Sequence, residues 1–161
     1  MLLAAFSFAL SAGLPIGLLP AASAPIAVTV RAGGVVSLSV RYMAPAVLVN
    51  RAAPNSLLLV TPWQKAQAGL RGPARTEPQW ADYFAGVEPV LFKMRVPARA
   101  KAGQYPASVT AQLFVCDQHE KVCRLQELTL PVTLKVSLAG AKQAALTLNI
   151  RSQELRRSPL D

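Results

Sequence analysis

The sequence predicts an all-β domain, an antiparallel β-sandwich of immunoglobulin type, on three observations. Apolar residues alternate with polar ones over short runs, Gly and Pro fall in the gaps between those runs, and no stretch carries a strong helical period. Ile26, Val28 and Val30 alternate with Ala27 and Thr29, and Val36, Leu38 and Val40 alternate with Ser37, Ser39 and Arg41. A strand with one face on a core and one in water has this pattern. Gly33-Gly34 lies in the gap between those two runs.

Next come Ala46 to Val49 and Leu57 to Val60, separated by Arg51-Ala52-Ala53-Pro54-Asn55, and then Val90 to Val96. The longest pair follows, Tyr105 to Cys116 and Cys123 to Leu138, with Ala145 to Ile150 as a last strand. Seven or eight such segments suit a sandwich. Thr61 to Pro89 reads as one long irregular stretch holding both tryptophans, and a loop of that length usually covers or builds something. No internal repeat is visible.

Residues 1–24 read as a secretory signal. Leu2 to Leu19 is almost wholly apolar, and Pro20-Ala21-Ala22-Ser23-Ala24 offers the small residues that precede cleavage. No Lys or Arg follows Met1, so the basic region of a signal is missing; an uncleaved anchor through residues 2–19 is the alternative, but Gly13, Pro15, Gly17 and Pro20 break the segment in a way better suited to a signal. Either reading places residues 25–150, the sandwich domain, in a periplasmic or other extracytoplasmic space where disulfides persist. Residues 151–161 read as a loosely ordered polar tail.

All 17 Lys and Arg follow residue 24, against 8 Asp and Glu, giving a formal charge of +9. The cations are spread from Arg31 to Arg157 with no aromatic interleaving, so the charge reads as a solvated surface and not as a nucleic-acid site. One histidine, few acids and no Gly-rich phosphate loop leave hydrolase and nucleotide chemistry without support.

Cys116 and Cys123, the only two cysteines, flank the loop Asp117-Gln118-His119-Glu120-Lys121-Val122 between the two longest strands. If Cys116 faces Cys123, the ladder pairs Phe114 with Leu125, Gln112 with Glu127 and Thr110 with Thr129 on one face. On the other it pairs Leu113 with Gln126, Ala111 with Leu128 and Val109 with Leu130. The second face is the apolar one and meets the core, so the cysteines belong to the more polar face, near the surface. Directly opposed Cα atoms stand ~4.5–5.5 Å apart, within disulfide reach. Closing so small a ring contributes about 2.5 kcal/mol in the chain-entropy model, which a hairpin rich in strand formers hardly needs. A metal site from Cys116, His119 and Cys123, with Asp117 or Glu120, crowds its ligands into one short loop, so no metal or other cofactor is expected. His119 is instead a solvated neighbour able to favour a thiolate when protonated.

From Gln79 to Val132 the chain resembles the N-terminal periplasmic domain of the thiol:disulfide interchange protein DsbD family. The resemblance rests on Asp82-Tyr83-Phe84-Ala85-Gly86 where that family has an Asp-Glu-Phe-Tyr-Gly cap segment. It rests also on the strand Val90 to Val96, on Gly103, and on Phe114-Val115-Cys116-Asp117 followed by Cys123. Val47-Leu48-Val49-Asn50 before Pro54 is similar to a turn of related modules.

The resemblance implies that Cys116 and Cys123 are a redox pair and that Phe84 is a cap over it. It implies that Asp82 is a nearby carboxylate whose charge disfavours the thiolate, with Tyr83, Asp117 and His119 as further neighbours. It implies exchange with separate thioredoxin-like or membrane thiol-disulfide proteins, since no electron carrier follows in this sequence. Six residues separate these cysteines where the family usually has five, and Tyr83 and Ala85 replace its Glu and Tyr. The competing class is a non-catalytic binding module with a structural disulfide, whose contact residues would be Trp63, Trp80, Tyr83 and Phe84.

Overall fold

A computed structural model describes residues 25–156; the expected signal or anchor and the last five residues lie outside the described range. Eight strands form one curled, mixed sheet: β1 (Ile26–Met43), β2 (Val47–Val49), β3 (Ser56–Val60), β4 (Lys65–Gly69), β5 (Val90–Arg95), β6 (Gly103–Asp117), β7 (Val122–Val136) and β8 (Ala141–Arg151). The order is β4-β3-β6-β7-β1-β5, with β2 also on β6 and β8 also on β1. The all-β expectation holds. The wholly antiparallel one is corrected, because β1 runs parallel to both β7 and β8.

Those parallel pairings come from a shared corner. Ile26 to Val30 pairs with Val132 to Val136, and beyond the bend Val35 to Met43 pairs with Gln143 to Arg151 while Val35 to Val40 also takes β5 on its other edge. Ser137 N–H donates to the Val30 carbonyl (3.0 Å) where both chains turn. Gly33, at φ 73°, absorbs the register shift, and a Cβ on Gly34 would crowd Val30 and the Arg31 carbonyl. Gly33-Gly34 is therefore a bulge inside one 18-residue strand and not the end of one.

Alternation then places the core. Val30, Val36, Leu38, Leu59, Val109, Ala111, Leu113 and Leu134 have no exposed surface, and the buried aliphatic positions of all the long strands join one cluster. The curl brings the sheet's two ends together at Gln64. Its side-chain amide donates to the Lys93 carbonyl (3.0 Å) and its oxygen accepts from Arg95 N–H (3.2 Å), covering the open edge of β5.

Two expectations yield to the structure. Thr61 to Pro89 is not wholly irregular: β4 pairs with β3 from Lys65 opposite Val60 to Gly69 opposite Ser56. Lys-Ala-Gln-Ala-Gly has no strand-forming residue, and it pairs because Thr61 closes the hairpin, its hydroxyl accepting from Trp63 N–H (3.2 Å) and Gln64 N–H (2.9 Å). The polar tail begins with a helical turn, α1 (Ser152–Arg156), rather than loose chain. Leu155 is only 1% exposed in the core, its carbonyl accepts from Arg124 (3.0 Å), and Glu154 caps Arg151 N–H (2.7 Å).

Candidate functional site

The β6–β7 ladder has the register that the alternation predicts, through Phe114 opposite Leu125, Cys116 opposite Cys123 and Asp117 opposite Val122. The faces are as expected too. Leu113, Ala111 and Val109 are buried, while the polar face carries the Gln112–Glu127 bond (3.0 Å) and the Thr110–Thr129 bond (3.3 Å). Cys116 and Cys123 are joined as a disulfide, with Cα atoms 4.0 Å apart. Asp117 closes the tip: its carboxylate accepts from His119 N–H (2.8 Å) and Glu120 N–H (3.3 Å), and Lys121 takes the left-handed conformation (φ 54°) that returns the chain into β7. Asp117 is buried at the turn, and His119 is exposed beside it.

Cys123 is exposed, as the polar face requires, whereas Cys116 is only 4% exposed. The placement of both sulfurs near the surface is corrected for Cys116, because the sheet does not stop at β6. β2 pairs Leu48 with Cys116 and Val49 with Val115. The segment from Asp82 to Phe84 then lies along the far edge of β2: Arg51 N–H donates to the Asp82 carbonyl (2.8 Å) and Phe84 N–H to the Val49 carbonyl (3.1 Å). Pro73 to Arg75 lies beyond that, Arg75 N–H donating to Tyr83 (3.0 Å) and Ala85 N–H to Pro73 (2.8 Å).

Two asparagines, Asn50 and Asn55, stitch β2 to β3 around the four residues between them. Asn50 accepts from Ala52 N–H (2.8 Å) and Ala53 N–H (3.1 Å) with its side chain, and its backbone N–H donates to the Phe114 carbonyl (2.9 Å). The Asn55 side chain bonds the Asn50 carbonyl and accepts from Phe114 N–H (2.7 Å), standing in for a missing rung of the ladder. This device keeps β6 paired while the chain leaves it. At the other side of β2, the hydroxyl of half-buried Tyr42 donates to the Val47 carbonyl (2.7 Å), and burial pushes that phenol above the ordinary tyrosine range.

This extension decides which aromatic residue meets the sulfurs. Asn50 pairs with Tyr83, so Tyr83 projects from the face of Asn50, Leu48, Phe114 and Cys116, while Phe84 projects from the opposite face with Val49 and Val115. The Tyr83 hydroxyl lies 3.0 Å from Cys116 Sγ and 3.9 Å from Cys123 Sγ. Phe84 instead packs against the core, and a Cβ at Gly72 (φ 156°) would meet both the Phe84 ring and the Gly86 carbonyl. It also lines a cleft of about 510 Å³ with Tyr42, Ala44, Val47, Arg75 and Val87.

Phe84, the residue that the resemblance makes the cap, thus packs half-buried against the core, and the neighbouring tyrosine is the one whose side chain reaches the sulfurs. Trp80 supports it, with ring centroids 5.6 Å apart in an edge-to-face arrangement, and Tyr83 N–H donates to the Trp80 carbonyl (2.9 Å). Asp82 is exposed and joins the site through its backbone. Trp63 is elsewhere, tilted against Tyr105 at 4.8 Å. The signal missed in the sequence was the pair Asn50 and Asn55, which holds the end of β2 beside β6, where Asn50 then pairs with Tyr83.

Chemically, the arrangement offers one exposed sulfur, one buried sulfur and a hydroxyl able to donate to the buried one. Among the described residues no group of three His, Cys, Asp or Glu side chains could hold a metal ion. Neither a family model nor a curated protein matches the chain.

Proposed function

We propose that this chain is an exported thiol-disulfide exchange module that relays electrons between a thioredoxin-like or membrane reductase and exported disulfide proteins. The observation that carries the reading is the asymmetry of the disulfide: Cys123 is exposed at a hairpin tip while Cys116 lies beneath Tyr83, within hydrogen-bond reach of its hydroxyl. A bond that only pinned the hairpin would need neither feature, and 15 paired positions already hold these strands.

The fold type this reading assumes is an immunoglobulin-like sandwich, supported by a first strand that pairs with β7 in one half and with β5 and β8 in the other. A reductant's thiolate attacks Cys123 Sγ, a bond forms between the two proteins, and the Cys116–Cys123 bond breaks with its electron pair on Cys116. Tyr83 donates its hydroxyl hydrogen bond to that thiolate. The reductant's second thiolate then attacks the mixed disulfide, leaving the reductant oxidised and Cys123 as a thiolate. Towards a target disulfide the order reverses: Cys123 attacks and Cys116 resolves.

Trapping tests this assignment. Cys116→Ser incubated with an oxidised thioredoxin-like protein accumulates a mixed disulfide through Cys123, and Cys123→Ser accumulates far less. Equal trapping by the two variants, or none by either, overturns it.

A further inference from the structure

The charge that is spread evenly along the sequence is segregated in the fold. Strand register places Arg95, Val35 and Gln143 in one row across the outer face of β5, β1 and β8, followed by Lys93, Ser37 and Ala145, then by Leu91, Ser39 and Thr147. Arg41 beside Asn149 and Met43 beside Arg151 complete that face. No Asp or Glu belongs to any row.

At the corner end, exposed Arg31, Arg99, Lys101 and Lys142 surround it, since Gly33 N–H bonds the Pro97 carbonyl (3.2 Å) and the Lys142 carbonyl lies against Gly34. The carboxylates of the described residues are elsewhere: Glu77, Asp82 and Glu88 before β5, Asp117, Glu120 and Glu127 on the hairpin of the disulfide, and Glu154 on α1. Glu154 bonds Arg151 N–H and Glu77 pairs with Arg75, but among the described residues no carboxylate pairs with Arg41, Lys93 or Arg95.

We infer that this outer face docks on an anionic lipid surface. Charge complementarity is the first argument: each Lys or Arg close to an anionic leaflet contributes about a fivefold gain in partition, and the exposed Glu120 and Glu127 of the disulfide hairpin orient the domain with that hairpin away from the lipid. Shape is the second. The rows between the cations hold small residues, and Leu91 (74% exposed) and Met43 (58% exposed) stand among the charges, the combination that an interfacial surface uses. A nucleic acid fits this face less well, because it presents no aromatic side chain for stacking and no helix or ribbon for a groove. The apolar run of residues 2–19 precedes Ile26 in the sequence and would hold this face near a bilayer whenever it is retained.

Sedimentation of the full chain with vesicles tests the inference. The probes are vesicles of phosphatidylcholine alone, which report the apolar run, and vesicles of equal parts phosphatidylglycerol and phosphatidylcholine, which add the charge. The triple variant Arg41→Gln, Lys93→Gln, Arg95→Gln weakens binding to the anionic vesicles by about 100-fold. The charge-matched triple Arg51→Gln, Gln118→Glu, Lys121→Gln, on the disulfide side of the domain, weakens it by less than about fivefold. Should the first triple fold poorly by urea titration, Lys93→Gln alone replaces it with an expected loss of about fivefold. Equal binding to the two vesicle types, or equal losses in the two triples, overturns the inference. So does a DNA duplex whose binding, unlike that of the vesicles, is abolished by the first triple. None of these readouts depends on the redox state of the cysteines, so the inference and the exchange reading fail separately.

Discussion

The two faces of the sheet near the disulfide differ by a single residue step and do different work. On the inner face Val47, Val49, Val115, Leu113 and Phe84 close the core by contact alone. On the outer face Leu48 and Cys116 are equally buried, yet they stand outside the main cluster, and Tyr83 reaches the sulfurs from that side. What separates a packing residue from a reactive neighbourhood here is strand parity, set by the pairing of Asn50 with Tyr83. A shift of one position would bury the hydroxyl among valines and leave Phe84 on the disulfide.

Four perturbations sharpen that comparison. Reducing the disulfide opens the ring between Cys116 and Cys123 and lowers stability by about 2.5 kcal/mol, read from urea titrations with and without reductant. Phe84→Ala, a loss on the inner face, costs about 2 kcal/mol, less than a fully buried phenylalanine because Phe84 is half-buried. It leaves the alkylation rate of the reduced cysteines within about twofold of wild type if the face assignment holds, since a change of one pK unit would alter the thiolate fraction far more. A larger acceleration would return Phe84 to the sulfurs.

Asn55→Ala removes the acceptor for Phe114 N–H and costs about 1.5 kcal/mol, with faster amide exchange at Phe114 as its local mark. Tyr83→Phe changes stability least, by about 0.5 kcal/mol, and reactivity most: without the hydroxyl, less of the reduced pair is thiolate at neutral pH and iodoacetamide alkylates it more slowly. An unchanged rate would leave Tyr83 as packing only.

Much of this fold is legible in the sequence, and the limits are physical. The alternation of Val109, Ala111 and Leu113 with Thr110 and Gln112 fixes both the face and the register of the long hairpin, because slipping by one would expose every one of them. β4 is illegible because Lys-Ala-Gln-Ala-Gly pairs by virtue of the Thr61 turn and not of its own side chains. The corner at Gly33-Gly34 reads as a chain break, since the same glycines serve a turn or a bulge and only the approach of the Ser137 to Lys142 segment decides between them.

The burial of Cys116 and the exchange of roles between Tyr83 and Phe84 share one cause. Both depend on Asp82 to Phe84 lying along β2, a long-range pairing with no periodic signal in either segment. The cationic face is hidden for the same reason: Lys93, Arg95 and Arg41 are distant in sequence and meet only through the pairing of β1 with β5.

The reduction potential of the Cys116–Cys123 pair tests the central claim most directly, measured by equilibrating the protein in glutathione or dithiothreitol buffers and trapping the thiols. The account predicts a value between about −180 and −270 mV, the span of known exchange proteins. A value below about −300 mV would contradict it, marking the bond as a structural staple and the Trp80–Tyr83 surface as a binding site instead.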